Sequence, residues 1–132
     1  MNGRAVYLDT SAFMKLVVPE PESPALRAHL RRWPTRVSAS LLCTEALRAA
    51  SRASPVRLAA VRHQLRGLVL IDLDRTLLEN AGMLGPPAMR SLDAVHVAAA
   101  LSLGGDVEEM VTYDARMAAA ARAQGLAVTD PR

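Results

Sequence analysis

The sequence predicts an α/β fold, in which a central, mostly parallel sheet is covered by helices on both faces. Three observations carry this prediction. Short apolar runs typical of buried strands alternate with helical segments, and serine, aspartate, proline and glycine stand at the boundaries. Strands that alternate with helices need crossover connections, which make the strands parallel. The length of 132 residues matches one domain, so we expect a single domain over residues 1–132.

The first half of the chain predicts two strands and four helices. The strands are Arg4–Asp9 and Arg36–Ala39. Each helix follows a serine or threonine that can accept a hydrogen bond from the first helical turn, and two of these residues precede proline. The expected helices run from a cap at Thr10 or Ser11 to before Pro19, from a cap at Ser23 to about Trp33, over Leu41–Ala53 with a cap at Ser40, and from a cap at Ser54 to Gly67.

The second half predicts three strands and three helices. Aspartate caps two of the helices, and glycine ends two of them. The Gly-Pro-Pro stretch at 85–87 predicts a loop. The expected strands are Leu68–Leu73, Val107–Tyr113 and Leu126–Thr129; the expected helices are Thr76–Met83 after Asp74, Ser91–Leu103 before Gly104, and Ala115–Gln124 between Asp114 and Gly125.

Composition excludes several classes of protein. Hydrophobic residues make up 51% of the chain and charged residues 22%, so a packed core can form. The single cysteine, Cys43, closes no disulfide within the chain and builds no cysteine-based zinc site. The apolar N-terminal stretch is interrupted by Asp9 and Lys15, so we expect no signal peptide and no membrane span. The expected location is the cytoplasm.

The charge is unevenly distributed. The formal net charge is only +3, yet nine arginines and one acid, Glu45, lie between Arg27 and Arg66. Such a basic segment is typical of proteins that contact phosphate backbones, although solvated helix faces give the same pattern. Aromatic residues are only 3% of the chain, which argues against recognition of bases by aromatic stacking.

Two aspartates occupy matching places in the predicted fold. Asp9 and Asp114 each follow a strand and precede a helix. Because ligands of parallel sheets bind at the carboxyl ends of the strands, both carboxylates are expected at one edge. Helix capping is the alternative explanation for each of them.

Asp93 and Glu45 lie on helices that look buried. Asp93 shares one face of an otherwise apolar helix with His96, and a buried carboxylate is costly unless it is paired or binds a metal. A favourable interaction with the helix dipole is the alternative for Asp93, an ion pair with Arg48 is the alternative for Glu45, and a core position is the favoured interpretation of His96. Four carboxylates in one cleft repel one another, and a hard divalent cation such as Mg²⁺ or Mn²⁺ relieves this repulsion.

Four segments together resemble a known family. YLDTSAF (7–13), TEALRA (44–49), SLDAVHVAAAL (91–101) and VTYDARMAAAARAQGL (111–126) are similar to the four acidic motifs of PIN-domain nucleases, and more closely to those of VapC toxins. The resemblance covers essentially the whole chain in the right order. It implies a metal-dependent endoribonuclease, usually a homodimer, that a VapB-type antitoxin holds inactive.

The resemblance also implies residue roles. Asp9, Glu45, Asp93 and Asp114 match the acidic residues that bind Mg²⁺ or Mn²⁺ and activate water, while Ser11 and Thr112 match hydroxyl residues that support the acids. Cleavage would leave a 3′-hydroxyl and a 5′-phosphate. Candidates for holding the RNA backbone come from the arginine-rich segment and are Arg27, Arg31, Arg48 and Arg52.

Two other functions remain open from the sequence. LIDLDRTLL (70–78) is similar to the nucleophile motif of haloacid-dehalogenase-like phosphatases, but Arg75 replaces its glycine and the only lysine, Lys15, lies upstream. Asp72 is then a strand-end residue and Asp74 a helix cap. The second alternative is a PIN-fold module that binds RNA or a partner without cutting, and such a module would hold RNA equally well in EDTA.

Overall fold

The computed structural model describes residues 4–132 and contains a five-stranded parallel sheet. The strand order is β3-β2-β1-β4-β5, so β1 is central and lies between β2 and β4. The predicted α/β class with a parallel sheet is therefore confirmed. The strands are β1 (Ala5–Leu8), β2 (Thr35–Ala39), β3 (Val69–Ile71), β4 (Val107–Val111) and β5 (Val128–Thr129).

Within residues 4–132, seven α-helices connect the strands, and each corresponds to a helix expected from the sequence. Their ends differ from the expected ones by a few residues, because the apolar pattern marks the middle of an element better than its ends. A short 3-10 turn, Gly104–Asp106, precedes β4. The helices are α1 (Thr10–Val17), α2 (Ser23–Leu30), α3 (Leu41–Ser51), α4 (Pro55–Leu65), α5 (Arg75–Gly82), α6 (Ser91–Ser102) and α7 (Ala115–Ala123).

The capping predictions are partly wrong. Ser54, Asp74 and Asp114 cap their helices as expected, through side-chain oxygens that accept backbone N–H bonds. The cap of α1 is Asp9 and not Thr10 or Ser11, because Asp9 keeps the extended backbone of the strand and its Oδ1 accepts the N–H of Ala12. 

The serines expected to cap α2 and α3 make no capping bond. Ser23 is the first residue of α2, and its hydroxyl instead donates to the carbonyl oxygen of Lys15 at 2.7 Å. Ser40 precedes α3 in helical backbone geometry, and its side chain makes no capping hydrogen bond. In both places the residue before the helix has helical dihedral angles, which differ from the extended geometry of a capping serine.

Helices cover both faces of the sheet, and β1 is buried on both sides. Tyr7 faces a core that includes Val97 and other residues of α6. Leu8 faces the opposite core, where Leu16 of α1 and Leu26 of α2 pack against the sheet. A third apolar cluster joins α1 to α3 and α4. This alternation along β1 fixes the register of the strand and therefore the direction of whatever follows it.

The residues that follow β1 and β4 meet at the carboxyl edge of the sheet. Asp9 directly follows β1, and Thr112 directly follows β4, which pairs with β1 in parallel register. The described part of the chain, residues 4–132, contains no helix long and apolar enough to cross a membrane.

The hydrogen bond of Asp74 allows a test of the capping assignment. Its Oδ1 accepts the N–H of Leu77 at 2.8 Å, so we expect Asp74→Ala to lower the free energy of unfolding by about 1 kcal/mol. Asp72→Ala is the matched control, because Asp72 is exposed and caps no helix, and we expect a change below about 0.5 kcal/mol. Urea denaturation measures both values; equal effects would contradict the capping role.

Candidate active site

Asp9 is buried at the carboxyl end of the central strand. Its side chain is held on both oxygens. Oδ1 accepts hydrogen bonds from the hydroxyl of Ser11 at 2.7 Å and from the N–H of Ala12 at 3.0 Å, and Oδ2 accepts one from the hydroxyl of Thr112 at 2.5 Å. The carboxylate therefore has a fixed position and orientation.

The hydroxyls of Ser11 and Thr112 connect the ends of β1 and β4. Ser11 Oγ accepts the N–H of Tyr113 at 2.9 Å, and Thr112 Oγ1 accepts the N–H of Asp114 at 3.1 Å. Each hydroxyl donates to Asp9 while it accepts from the segment after β4. These bonds hold Asp114 on the same edge of the sheet as Asp9.

Asp114 caps α7. Its Oδ1 accepts N–H bonds from Arg116 at 2.8 Å and Met117 at 3.4 Å. The side chain is exposed, unlike that of Asp9. Asp9 and Asp114 therefore both cap helices and lie at the carboxyl edge of the sheet, so the two explanations that the sequence offers for them are compatible.

Glu45 is paired with residues of two other elements. Its Oε1 accepts a hydrogen bond from the hydroxyl of Thr10 at 2.6 Å and lies 2.8 Å from Nε2 of His96. The ion pair with Arg48 considered from the sequence is absent from the described residues, where Arg48 is exposed. Contacts with α1 and α6 thus direct Glu45 toward the site.

His96 connects Glu45 to the core beneath the site. The backbone N–H of Ala39 donates to Tyr7 Oη at 3.1 Å, and Tyr7 Oη lies 2.7 Å from Nδ1 of His96. Burial raises the pKa of Tyr7, so its hydroxyl keeps a proton that it can donate to Nδ1. Nε2 of His96 is then the N–H group that donates to Glu45. The core position that the sequence favours for His96 is confirmed, since its side chain is buried. In addition, His96 contacts Glu45, one of the candidate site residues.

Asp93 lies in the first turn of α6 and is half-buried. Burial raises its pKa, and the nearby charge of Asp114 raises it further, while Arg90 and His96 act in the opposite direction. Glu45 also raises the pKa of Asp93. Asp93 is therefore electrostatically coupled to two of the other acids.

The remaining acids respond differently to their surroundings. Burial raises the pKa of Asp9, against hydrogen bonds from Thr112, Ala12 and Ser11 that act to lower it. Burial also acts to raise the pKa of Glu45, but the hydrogen bonds from His96 and Thr10 outweigh it and lower that pKa. The pKa is thus raised at Asp9 and Asp93 and lowered at Glu45.

The donor set suits a hard divalent ion, although the acids do not form a ready cage. Within residues 4–132, no three His, Cys, Asp or Glu side chains are grouped closely enough to hold a metal ion. The four acids nevertheless supply only carboxylate oxygens at one edge, and the repulsion that raises the pKa of Asp93 is what a cation relieves. Direct coordination by three acids requires side-chain movement at the exposed or half-buried positions.

The four arginines expected to hold RNA are exposed and fall into two pairs. Arg27 and Arg31 lie at the end of α2, which leads to the amino end of β2, opposite the edge that carries Asp9. Arg48 and Arg52 follow Glu45 by about 5 and 10 Å along the axis of α3. Arg48 and Arg52 are therefore the pair nearer to the acids.

Comparisons with known proteins identify the family. Residues 6–123 match the PIN domain. The chain is 45% identical to ribonuclease VapC46 of Mycobacterium tuberculosis over 127 residues, covering 96% of this chain and 98% of that protein. The chain belongs to the VapC group of PIN domains. It is also 38% identical to ribonuclease VapC35 of M. tuberculosis, with 96% of each chain covered.

Solved structures share the fold of this PIN domain. A VapBC2 structure from Rickettsia felis, bound to a promoter DNA fragment, contains a chain that matches with a TM-score of 0.74 at 15% identity, covering 97% of this chain and 99% of that chain. The sarcin-ricin loop cleaving toxin VapC20 of M. tuberculosis matches with a TM-score of 0.74 at 17% identity, covering 96% and 99% of the two chains. At such identities the likeness concerns the fold alone.

The raised pKa of Asp9 predicts a pH dependence of stability in metal-free protein. The folded state keeps this proton to higher pH than an unfolded aspartate, whose pKa is about 3.9. The stabilisation is fully present below the unfolded pKa and is lost as the pH rises through the folded pKa. We therefore expect the free energy of unfolding of Asp9→Asn, relative to wild type, to increase over this range.

Urea denaturation in EDTA from about pH 3 to about pH 8 measures this difference. Asp72→Asn is the control, because Asp72 is exposed at the sheet edge and should show no such trend. A difference between Asp9→Asn and wild type that stays constant with pH would contradict the role assigned to burial.

Proposed function

We propose that this PIN domain is a metal-dependent endoribonuclease that acts as the toxin of a toxin–antitoxin pair. The observation that carries the proposal is the buried carboxylate of Asp9. It accepts hydrogen bonds from the hydroxyls of Ser11 and Thr112 at the carboxyl edge of the sheet, where Asp114 also lies. The relatives VapC46 and VapC35, which are named ribonucleases, support this activity. The expected substrate is cytoplasmic RNA.

Asp9, Asp93 and Asp114 would hold Mg²⁺ or Mn²⁺, with Glu45 bound directly or through water. When bound, such an ion supplies a water of lowered pKa and neutralises charge on the phosphoryl oxygens. The chain itself contributes orientation. Ser11 and Thr112 keep both oxygens of Asp9 in place, and His96 and Thr10 keep Glu45 ionised and directed toward the edge.

We propose that positively charged side chains near these acids bind the RNA substrate. Arg48 and Arg52 are exposed beyond Glu45 on α3 and are proposed to contact the RNA backbone, with Arg27 and Arg31 reached only by a longer RNA. A VapB-type antitoxin is the proposed partner, which the VapBC2 complex of R. felis supports.

The central test is Asp9→Asn. We expect Mg²⁺- or Mn²⁺-dependent cleavage of total bacterial RNA to fall by at least about 100-fold, because the variant loses a charged oxygen donor while the fold persists. Asp72→Asn, at the end of the edge strand, should cleave as wild type does. Gel analysis of the RNA and circular dichroism of each protein provide the measurements.

EDTA separates the nuclease from a module that only binds RNA. Cleavage by the wild type should stop in EDTA and return with added Mn²⁺, whereas RNA binding should persist. Full cleavage by Asp9→Asn would exclude the acidic edge as the active site. RNA binding without cleavage at any metal concentration would favour the non-catalytic alternative.

We further propose that the chain forms a homodimer through the exposed apolar surface of α5 and α6. Three of the five large apolar side chains exposed in residues 4–132 lie here: Leu78, Met83 and Leu92, with Met83 exposed by 86%. Because α5 and α6 pack against each other, exposed apolar side chains on both helices favour a protein interface here, and a second copy of the chain would cover them.

Combined Leu78→Glu and Met83→Glu should convert the dimer to a monomer in sedimentation velocity experiments, because two buried charges would oppose association. Val56→Glu is the control, since Val56 is 78% exposed on α4, away from this surface. A wild-type monomer would refute the homodimer, and a double variant that stays dimeric would refute this interface.

A further inference from the structure

A cavity of about 290 Å³ opens beside Asp93, between α7 and the loop that precedes α6. One wall is the stripe of α7 residues Arg116, Ala119, Ala120 and Ala123, which share a helix face at spacings of three and four. The opposite wall is loop 86–90. The small alanine side chains leave the space that forms the cavity.

The loop wall is attached to α7. The side-chain amide of Gln124 donates a hydrogen bond to the carbonyl oxygen of Gly85 at 2.8 Å. A turn within the loop, closed by the N–H of Met89 and the carbonyl oxygen of Pro86 at 2.9 Å, places Met89 in the wall. The cavity is therefore built by defined contacts on both sides.

The cavity is apolar inside and positively charged around Asp93. Pro86, Ala88 and Met89 line it from the loop, facing the alanines of α7. Arg90 and Arg116 also line it, and within residues 4–132 neither guanidinium forms a salt bridge or a side-chain hydrogen bond. Two guanidinium groups without a hydrogen-bonded partner in residues 4–132, beside an apolar cavity, match a ligand with an anionic part and an apolar part.

We propose that this cavity is a nucleotide subsite, in which one RNA base lies between Met89 and the alanines of α7 while Arg90 and Arg116 bind its phosphates. The inference rests on the proposed function, because Asp93 belongs both to the cavity wall and to the proposed metal-binding acids. A strand whose scissile phosphate lies at these acids extends directly past the two arginines.

The aromatic side chains of the protein lie away from the cavity, so a base in the cavity would contact aliphatic groups. Tyr7 and Phe13 are buried in the core, Trp33 donates to Glu108, and the ring of Tyr113 lies under Lys15. Among residues 4–132, no aromatic side chain lines the cavity. Thioether–ring contacts of Met89 and burial against methyl groups are the available interactions with a base.

The test compares two single-stranded probes of equal length: RNA of randomised sequence and an abasic ribose-phosphate strand. Binding is measured by fluorescence anisotropy in EDTA, where no metal supports cleavage. We expect wild-type protein to bind the RNA about five- to tenfold more tightly than the abasic strand, because only the RNA buries a base against the apolar groups of the cavity.

Ala119→Leu fills the cavity and should remove this preference, while binding of the abasic strand stays unchanged. Ala59→Leu on α4 is the matched control, since both alanines are exposed within helices and leucine is also a good helix former. Arg90→Ala and Arg116→Ala should weaken both probes, and each should reduce the slope of log affinity against log salt by about 0.7.

Three results would overturn the proposal: no preference of the wild type for RNA over the abasic strand, equal behaviour of Ala119→Leu and Ala59→Leu, or unchanged affinity in both arginine variants. If Ala119→Leu loses binding to a co-expressed VapB-type antitoxin but still binds RNA as wild type does, the nucleotide subsite is refuted and the cavity is a protein-docking site. Asp9→Asn should keep the base preference in EDTA, so failure of cleavage and failure of the subsite are distinguishable.

Discussion

Burial of one carboxylate at the end of the central strand is the constraint around which the site is arranged. Asp9 follows β1, whose residues pack into two cores on opposite faces, so its place is set by most of the fold. An isolated carboxylate there is costly, and the bonds from Ser11, Ala12 and Thr112 offset part of that cost. The same hydroxyls accept N–H groups after β4, so stabilising Asp9 also positions Asp114.

Much of this arrangement follows from local sequence patterns. Apolar runs followed by aspartate and a helix predict both a parallel strand and a carboxylate at its end, which is how Asp9 and Asp114 can be recognised. In both aspartates, Oδ1 accepts the capping hydrogen bonds, and the carboxylate still lies at the carboxyl edge of the sheet. The error at Thr10 and Ser11 arose because three consecutive residues are all good caps, and backbone geometry decides among them.

Other features depend on contacts between distant segments and could not be predicted from spacing. Arg48 is three residues from Glu45, yet the partners of Glu45 are Thr10 and His96, which only the packing of α1 and α6 against α3 brings together. The hydroxyl of Tyr7 is similarly hidden within an apolar strand pattern. The candidates for binding RNA that the sequence indicates are four arginines of the arginine-rich segment. Arg90 and Arg116 lie outside that segment, yet they line the same cavity as Asp93.

The acids around this edge are divided by their surroundings into two kinds. Hydrogen bonds from His96 and Thr10 lower the pKa of Glu45, whereas burial raises the pKa of Asp9, and burial together with neighbouring carboxylates raises the pKa of Asp93. Positive charge near Asp9 and Asp93 therefore favours their ionised forms. Arg90 contributes such charge at Asp93, and the proposed divalent cation would contribute more, so that the charge state of the acids would be coupled to metal binding.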